Sequence, residues 1–153
     1  MNENDVDNEL AAMAPGHRLA RGVGRALTDL GWSCLFEVVL KTGRRVDIMA
    51  LDEKGRIAVV EIKSSLADFR SDGKWQEYLE FCDLFFFAVP EDFPRDVLPD
   101  EPGLIIADRY TAAVIREAPE TSLAPARRKA LTLRFARTAG QRLLQALDPR
   151  GGI

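Results

Sequence analysis

Apolar positions first recur at helical spacing. In "GHRLARGVGRALTDL" (16–30), Leu19, Val23, Leu27 and Leu30 share one face, and Arg18, Arg21 and Arg25 share another. Gly22 and Gly24 count against an unbroken helix there. The period then shortens to two. "WSCLFEVVL" (32–40), "RRVDIMAL" (44–51) and "RIAVVEIK" (56–63) read as three strands, joined at "KTG" and "DEKG", where glycine suits a hairpin. Ser65, with Asp68 three residues on, reads as a capping box opening a second helix. That helix is expected to break near Gly73 and to continue through "KWQEYLEFCD". "LFFFAV" (84–89) is a fourth strand. A Pro-rich acidic loop (90–103) leads to a last strand pair, "LIIAD" and "AAVIREA". The final helix spans 124–147, with an apolar stripe of Leu133, Ala136, Gly140, Leu143, Leu144 and Leu147 and arginines opposite. The order αβββαβ, then ββα, predicts an α/β or α+β domain with a mixed central sheet flanked by helices. Residues 1–14 are expected to be a disordered acidic tail, and 15–150 a single domain.

Composition narrows the setting. At 153 residues the chain can bury one sizeable core. The polar N-terminus lacks the basic and apolar segments of a secretory signal, and no apolar run reaches membrane-spanning length. The expected location is the cytoplasm, off the membrane, with Cys34 and Cys82 as reduced thiols. The net charge of −3 weighs against nucleic-acid binding, but its distribution is uneven. Residues 1–10 hold four acids and no base, whereas 124–150 hold seven bases and one acid, Asp148. That basic run is either a solvated helix face or a phosphate-attracting one.

The third strand carries an anomaly. Ile57, Val59, Glu61 and Lys63 alternate onto one face of a strand that is otherwise apolar on both faces. A carboxylate buried without compensation costs several kcal/mol. Asp47, on the preceding strand, can point to the same face if the two strands form a hairpin about "DEKG". Two carboxylates converging on one spot repel. A hard divalent cation such as Mg²⁺ relieves that, and Lys63, about 7 Å along the strand from Glu61, can hold a water or offset charge on a phosphate. A structural ion pair on a half-exposed strand is the alternative. The tripeptide itself says little, because Asp52–Lys54 and Asp72–Lys74 match the same [DE]xK pattern outside strands.

Asp47 followed by Glu61-Ile62-Lys63 on the next strand resembles the PD-(D/E)xK nuclease core, and the αβββαβ order is similar to that restriction-endonuclease-like fold. The stretch "GRRVDIMALDEKGRIAVVEIKSSLADFRSDGKWQEYLEFCDLFFFAVP" (43–90) resembles the MmcB-like DNA repair proteins of bacteria, a likeness extending over most of 17–145. The resemblance implies metal-dependent hydrolysis of DNA phosphodiester bonds, with Asp47 and Glu61 on Mg²⁺ or Mn²⁺ and Lys63 as the catalytic lysine. The proline that can precede the first acid is Val46 here. A module that keeps the nuclease fold without its activity, binding nucleic acid or a repair partner, is the other class. RNA as substrate stays open.

Further residues join the candidate site. Glu37, another lone acid in an apolar strand, is either a third metal ligand or water activator, or a partner of Arg44 or Arg45 across the first hairpin. Arg18, Arg21, Arg25, Arg44, Arg45, Lys74 and Tyr78 are candidates for contact with nucleic acid. For Tyr78 core packing competes with that role, and for Lys74 solvent does. Ser64 and Ser65 are expected as caps. The single histidine, His17, at a helix start, is assigned no role. A homodimer through "LFFFAV" or the C-terminal helix is compatible with the pattern. The chain has no GxSxG, Cys/His dyad or P-loop, and "GVG" lacks the third glycine of a dinucleotide fingerprint.

Overall fold

Two tight turns set the register of the sheet. The computed structural model describes residues 14–71 and 73–150, so all but residue 14 of the tail expected at 1–14 lies outside the described residues. β1 (Ser33–Val39), β2 (Arg45–Leu51) and β3 (Ile57–Ile62) form an antiparallel meander. In the second turn, Asp52 Oδ1 accepts the N–H groups of Lys54 (3.0 Å) and Arg56 (2.8 Å). Gly55 follows at φ +82°, a left-handed conformation that glycine adopts without strain. β4 (Leu84–Val89) then adds parallel to β3, β5 (Gly103–Ala107) parallel to β4, and β6 (Ala112–Arg116) antiparallel to β5. The result is a six-stranded mixed open sheet in sequential order. It agrees with the α/β class and mixed sheet expected from the pattern.

Each face of the sheet has its own core. α1 (Pro15–Asp29) lays Leu19, Ala20, Val23 and Leu27 over Ile48, Ala50, Ala58, Val60, Ile62 and Ile105. The other face packs Ile57, Val59, Phe85 and Phe87 under Trp75, Tyr78 and Phe81 of a 3₁₀ helix (Trp75–Phe81) and under Leu131 and Phe135 of α3 (Pro125–Leu147). Between β3 and the 3₁₀ helix lies α2 (Leu66–Ser71), so the expected helix does break near Gly73. The capping box forms: Asp68 N–H donates to Ser65 Oγ (3.1 Å), while Asp68 Oδ2 accepts the N–H of Ser64 (3.1 Å). Cys34 and Cys82 are both free, and burial pushes their thiols up to about 11 and about 12. No described helix is long and apolar enough to cross a membrane.

The glycines of α1 do not break it. A Cβ on Gly22 would stand 1.8 Å from the Asp108 carbonyl oxygen, so the bare backbone is what lets α1 sit against the β5–β6 turn. Gly22→Ala is expected to lower the unfolding free energy in urea by about 3 kcal/mol, the upper range for overpacking, because backbone rather than a rotatable side chain meets the new methyl. An unchanged urea midpoint would refute the close approach.

The C-terminal helix departs from expectation. Its span is as read, but Leu131 and Phe135 are the buried positions, whereas Leu133, Leu143, Leu144 and Leu147 are exposed, Leu147 at 76%. Three polar anchors explain the rotation. Arg127 lies over the Phe81 ring (4.6 Å), Arg134 Nη1 donates to Val39 O (2.9 Å), and Arg142 donates to the carbonyls of Phe36 and Glu37. α3 thus runs past the edge of the sheet with its leucine stripe outward. "LFFFAV" is enclosed between β3 and β5 and buried throughout, which removes it as a dimer surface.

A buried carboxylate ties these pieces together. Asp83, just before β4, takes both Arg128 nitrogens (Nη2–Oδ1 2.6 Å, Nη1–Oδ2 2.8 Å) and the N–H groups of Ile57 (2.8 Å) and Leu123 (3.0 Å). Arg128 also donates to Gly55 O (2.8 Å). One carboxylate therefore joins the start of β3, the start of β4 and the first turn of α3.

Candidate functional site

Pairing between β2 and β3 is regular from Leu51↔Ile57 to Ile48↔Val60 and then stops. The next opposed pair in that register is Asp47 and Glu61. Side chains replace the ladder there. Asp47 N–H donates to Glu61 Oε1 (3.2 Å), and Ile62 N–H donates to Asp47 Oδ2 (2.7 Å). On its other side β3 stays pinned, with Glu61 opposite Phe87 and Lys63 N–H donating to Ala88 O (2.9 Å). Glu61 and Lys63 therefore project from backbone held firmly by the parallel ladder. They are 4% and 5% exposed, and with Asp83 they are the buried charged residues among those described.

The row extends to β1. Phe36↔Ile48 and Val38↔Val46 bracket Glu37 opposite Asp47, so Glu37, Asp47 and Glu61 occupy one line across three strands. The pleat changes phase at this line. Ile48 lies in the α1 core, yet Val46, two residues away, lies in the opposite core, and Val38 does the same. Strict alternation fails here, and the acids at the break face a cleft rather than either core. Glu37 takes φ +51°.

The cleft measures about 670 Å³. Its walls are His17 and Arg21 of α1, Phe36 and Glu37 of β1, Arg45 and Asp47 of β2, Glu61, Ile62 and Lys63 at the end of β3, Asp68 of α2, and Tyr78. Burial pushes the Asp47 carboxyl up. The Ile62 N–H and the Lys63 charge pull it down, Asp68 pushes it up, and a hydrogen bond with the Glu61 side chain pulls it down. The balance leaves it above the usual carboxylate range. Glu37 faces His17 Nε2 (3.4 Å) and Arg45 Nη2 (3.9 Å). Among the described residues no group of three or more His, Cys, Asp or Glu side chains gathers as a ligand set, and the ion-pair partners of Glu37 are His17 and Arg45.

The other candidates divide. Arg18 turns to a second cleft of about 800 Å³, near the C-terminal ends of the parallel strands, with Ser64, Arg95 and Asp108. Arg25 lines a third hollow with Arg21 and Phe36. Arg44 is outside the walls: its Nε binds Glu77 (2.7 Å) and its guanidinium lies 5.5 Å from the Tyr78 ring centre. Lys74 is exposed before the 3₁₀ helix and lines none of these clefts. Tyr78 is a core residue, stacked on Phe85, that also reaches the cleft. Sequence reasoning missed His17 and Asp68 as cleft residues. His17 precedes Arg21 by one helical turn and so shares its face. The local pattern marks Asp68 only as a cap, yet the helix it opens starts just beyond Lys63.

A family model described as DNA repair protein MmcB-like matches residues 5–150. The chain belongs to this family. A solved structure from Silicibacter pomeroyi, described as a protein of unknown function, is 52% identical to it. The match covers 93% of this chain and 97% of that one, at a TM-score of 0.90, so the architecture described above recurs in that protein. No curated protein matches. The family description points to a role in DNA repair.

Proposed function

We propose that the protein is a metal-dependent nuclease of the PD-(D/E)xK type, hydrolysing phosphodiester bonds of DNA during repair. The observation that carries this reading is the opposition of Asp47 and Glu61 where β2 and β3 part, with the buried Lys63 next on the same strand. The donor set suits Mg²⁺ or Mn²⁺, since both groups offer hard oxygen ligands, and desolvated like charges gain most from a cation. A bound ion supplies Lewis-acid polarisation of the scissile phosphate. The chain's own residues do the rest. Asp47 and Glu61 hold the cation's charge at the end of a rigid strand. The Lys63 ammonium orients the attacking water and offsets negative charge developing on the phosphate. Arg21 and Arg45 offer guanidinium groups to flanking phosphates.

The rival reading is a DNA-binding module without activity. It is favoured by one observation: both carboxylates already accept backbone N–H groups, which gives them a structural use. A metal titration separates the two. With Mn²⁺ at a hundred times its dissociation constant, wild type gains about 2.7 kcal/mol of stability. Glu61→Gln keeps a carbonyl oxygen for the Asp47 N–H but loses the charge, and is expected to show no such gain in a thermal melt. An equal Mn²⁺ response in both proteins would reject Glu61 as a ligand.

A further inference from the structure

The C-terminal helix reaches the candidate site through one side chain. Arg142 donates from Nη1 to Phe36 O and from Nη2 to Glu37 O (2.8 Å), so its planar fork grips two successive carbonyls of β1. Glu37 is the one non-glycine residue with positive φ among those described. A left-handed glutamate is disfavoured unless its surroundings hold it, and such residues cluster at functional sites. Here the holding contact is identifiable. It sits on the carbonyl of the strained residue itself and comes from a helix more than a hundred residues later, at a sequence separation of 105.

The strain has a visible product. At Glu37 the pleat of β1 changes phase, and its carboxylate stands in the cleft between His17 Nε2 (3.4 Å) and Arg45 Nη2 (3.9 Å). His17 comes from α1 and Arg45 from the start of β2, so this carboxylate spans two elements on either side of the cleft mouth. We infer that Arg142 is a positioning residue: by clamping the left-handed turn at Glu37 it keeps that carboxylate where it aligns His17 and Arg45 toward a nucleic-acid phosphate. The last step rests on the proposed function; the clamp itself does not.

A neighbour on the same helix supplies the control. Arg134 makes the same kind of contact, Nη1 to Val39 O at 2.9 Å, but two residues beyond Glu37. Arg134→Ala removes a positive charge and an edge contact without releasing Glu37. The reporter is His17, the single histidine of the sequence, whose imidazole gives one set of ring proton signals.

The experiment records those NMR signals at one pH, without metal, for wild type, Glu37→Gln, Arg142→Ala, Arg134→Ala and the double variant Arg142→Ala/Glu37→Gln. The expected result is that Arg142→Ala moves the His17 signals as Glu37→Gln does, that the double variant matches Glu37→Gln, and that Arg134→Ala stays at wild type. His17 signals unchanged in Arg142→Ala would overturn the inference. If Arg142→Ala does not fold, Arg142→Lys carries the test, because its ammonium keeps the charge but not the fork. A second arm measures binding of a fluorescent DNA oligonucleotide in EDTA. Affinity is expected to fall about tenfold in Arg142→Ala and in Glu37→Gln, the scale of one charge-assisted hydrogen bond, and no further in the double variant. An equal fall in Arg134→Ala would reduce Arg142 to bulk charge and overturn its role. Failure of wild type to bind DNA would remove the proposed function, while the His17 signals still decide whether Arg142 positions Glu37.

Discussion

Lys63→Met is expected to cleave DNA at least about a hundredfold more slowly than wild type in Mg²⁺ or Mn²⁺, the usual cost of losing one preorganised electrostatic group at developing charge. Methionine matches lysine in length and fits the site, where Lys63 is 5% exposed. The backbone bond from Lys63 N–H to Ala88 O does not depend on the side chain. The variant should therefore fold, and circular dichroism would establish that before any rate is compared. Asp47→Asn is expected to lose as much activity by a different route. Asparagine can still accept the Ile62 N–H, but it brings no charge to the cation. Single-stranded, nicked, flapped and branched DNA should all be offered. Wild-type rates in both variants would end the nuclease reading. Loss of cleavage with DNA affinity in EDTA within a few fold of wild type would place the defect in the chemical step.

Asp83→Asn should cost about 3–5 kcal/mol of stability, the scale for breaking a buried ion pair, with a melting temperature lower by about 10 °C. An amide in that position has one acceptor oxygen where the carboxylate has two, and its NH₂ group would face the N–H groups of Ile57 or Leu123. The effect should also depend on acidity. Burial alone pushes the Asp83 carboxyl up, but the Arg128 hydrogen bond, the N–H groups of Ile57 and Leu123 and the Arg128 charge hold it below its ordinary value. A carboxyl whose folded-state pKa is depressed stabilises the fold above its unfolded value of about 3.9, and that contribution fades as pH falls through the folded value. The gap between wild type and Asp83→Asn in urea melts should be full at pH 6 and shrink below about pH 4. A gap that stays constant down to pH 3 would show that the charge contributes little.

These two sites differ in how far the sequence disclosed them. The opposition of Asp47 and Glu61 was legible, because a short turn with glycine fixes hairpin register and so which residues stand opposite each other. Asp83 was not. In "KWQEYLEFCD" it reads as the polar end of a helix, and its partner Arg128 lies 45 residues away. Local pattern carries no information about such a pairing. The leucine stripe of α3 failed for a related reason. Periodicity finds an apolar face but not what covers it, and the arginine contacts to β1 turned Leu131 and Phe135 inward instead. Glu37 shows the limit of alternation itself. A single left-handed residue changes the phase of a strand, and nothing in "CLFEVVL" marks where. The family likeness read from residues 43–90 did agree with the family match over 5–150.

β1 is an outer strand of the sheet, with Phe36 and Val39 exposed along it. An open strand edge of this kind is a template on which further chains can add, the first step toward insoluble assemblies. Here the carbonyls of Phe36, Glu37 and Val39 are occupied by the guanidinium groups of Arg142 and Arg134, and a charged helix lies alongside. The C-terminal helix thus does for this edge what a neighbouring strand would do, without offering a new row of donors and acceptors in its place. Its arginines, which first suggested phosphate, thereby occupy acceptors that an added strand would need.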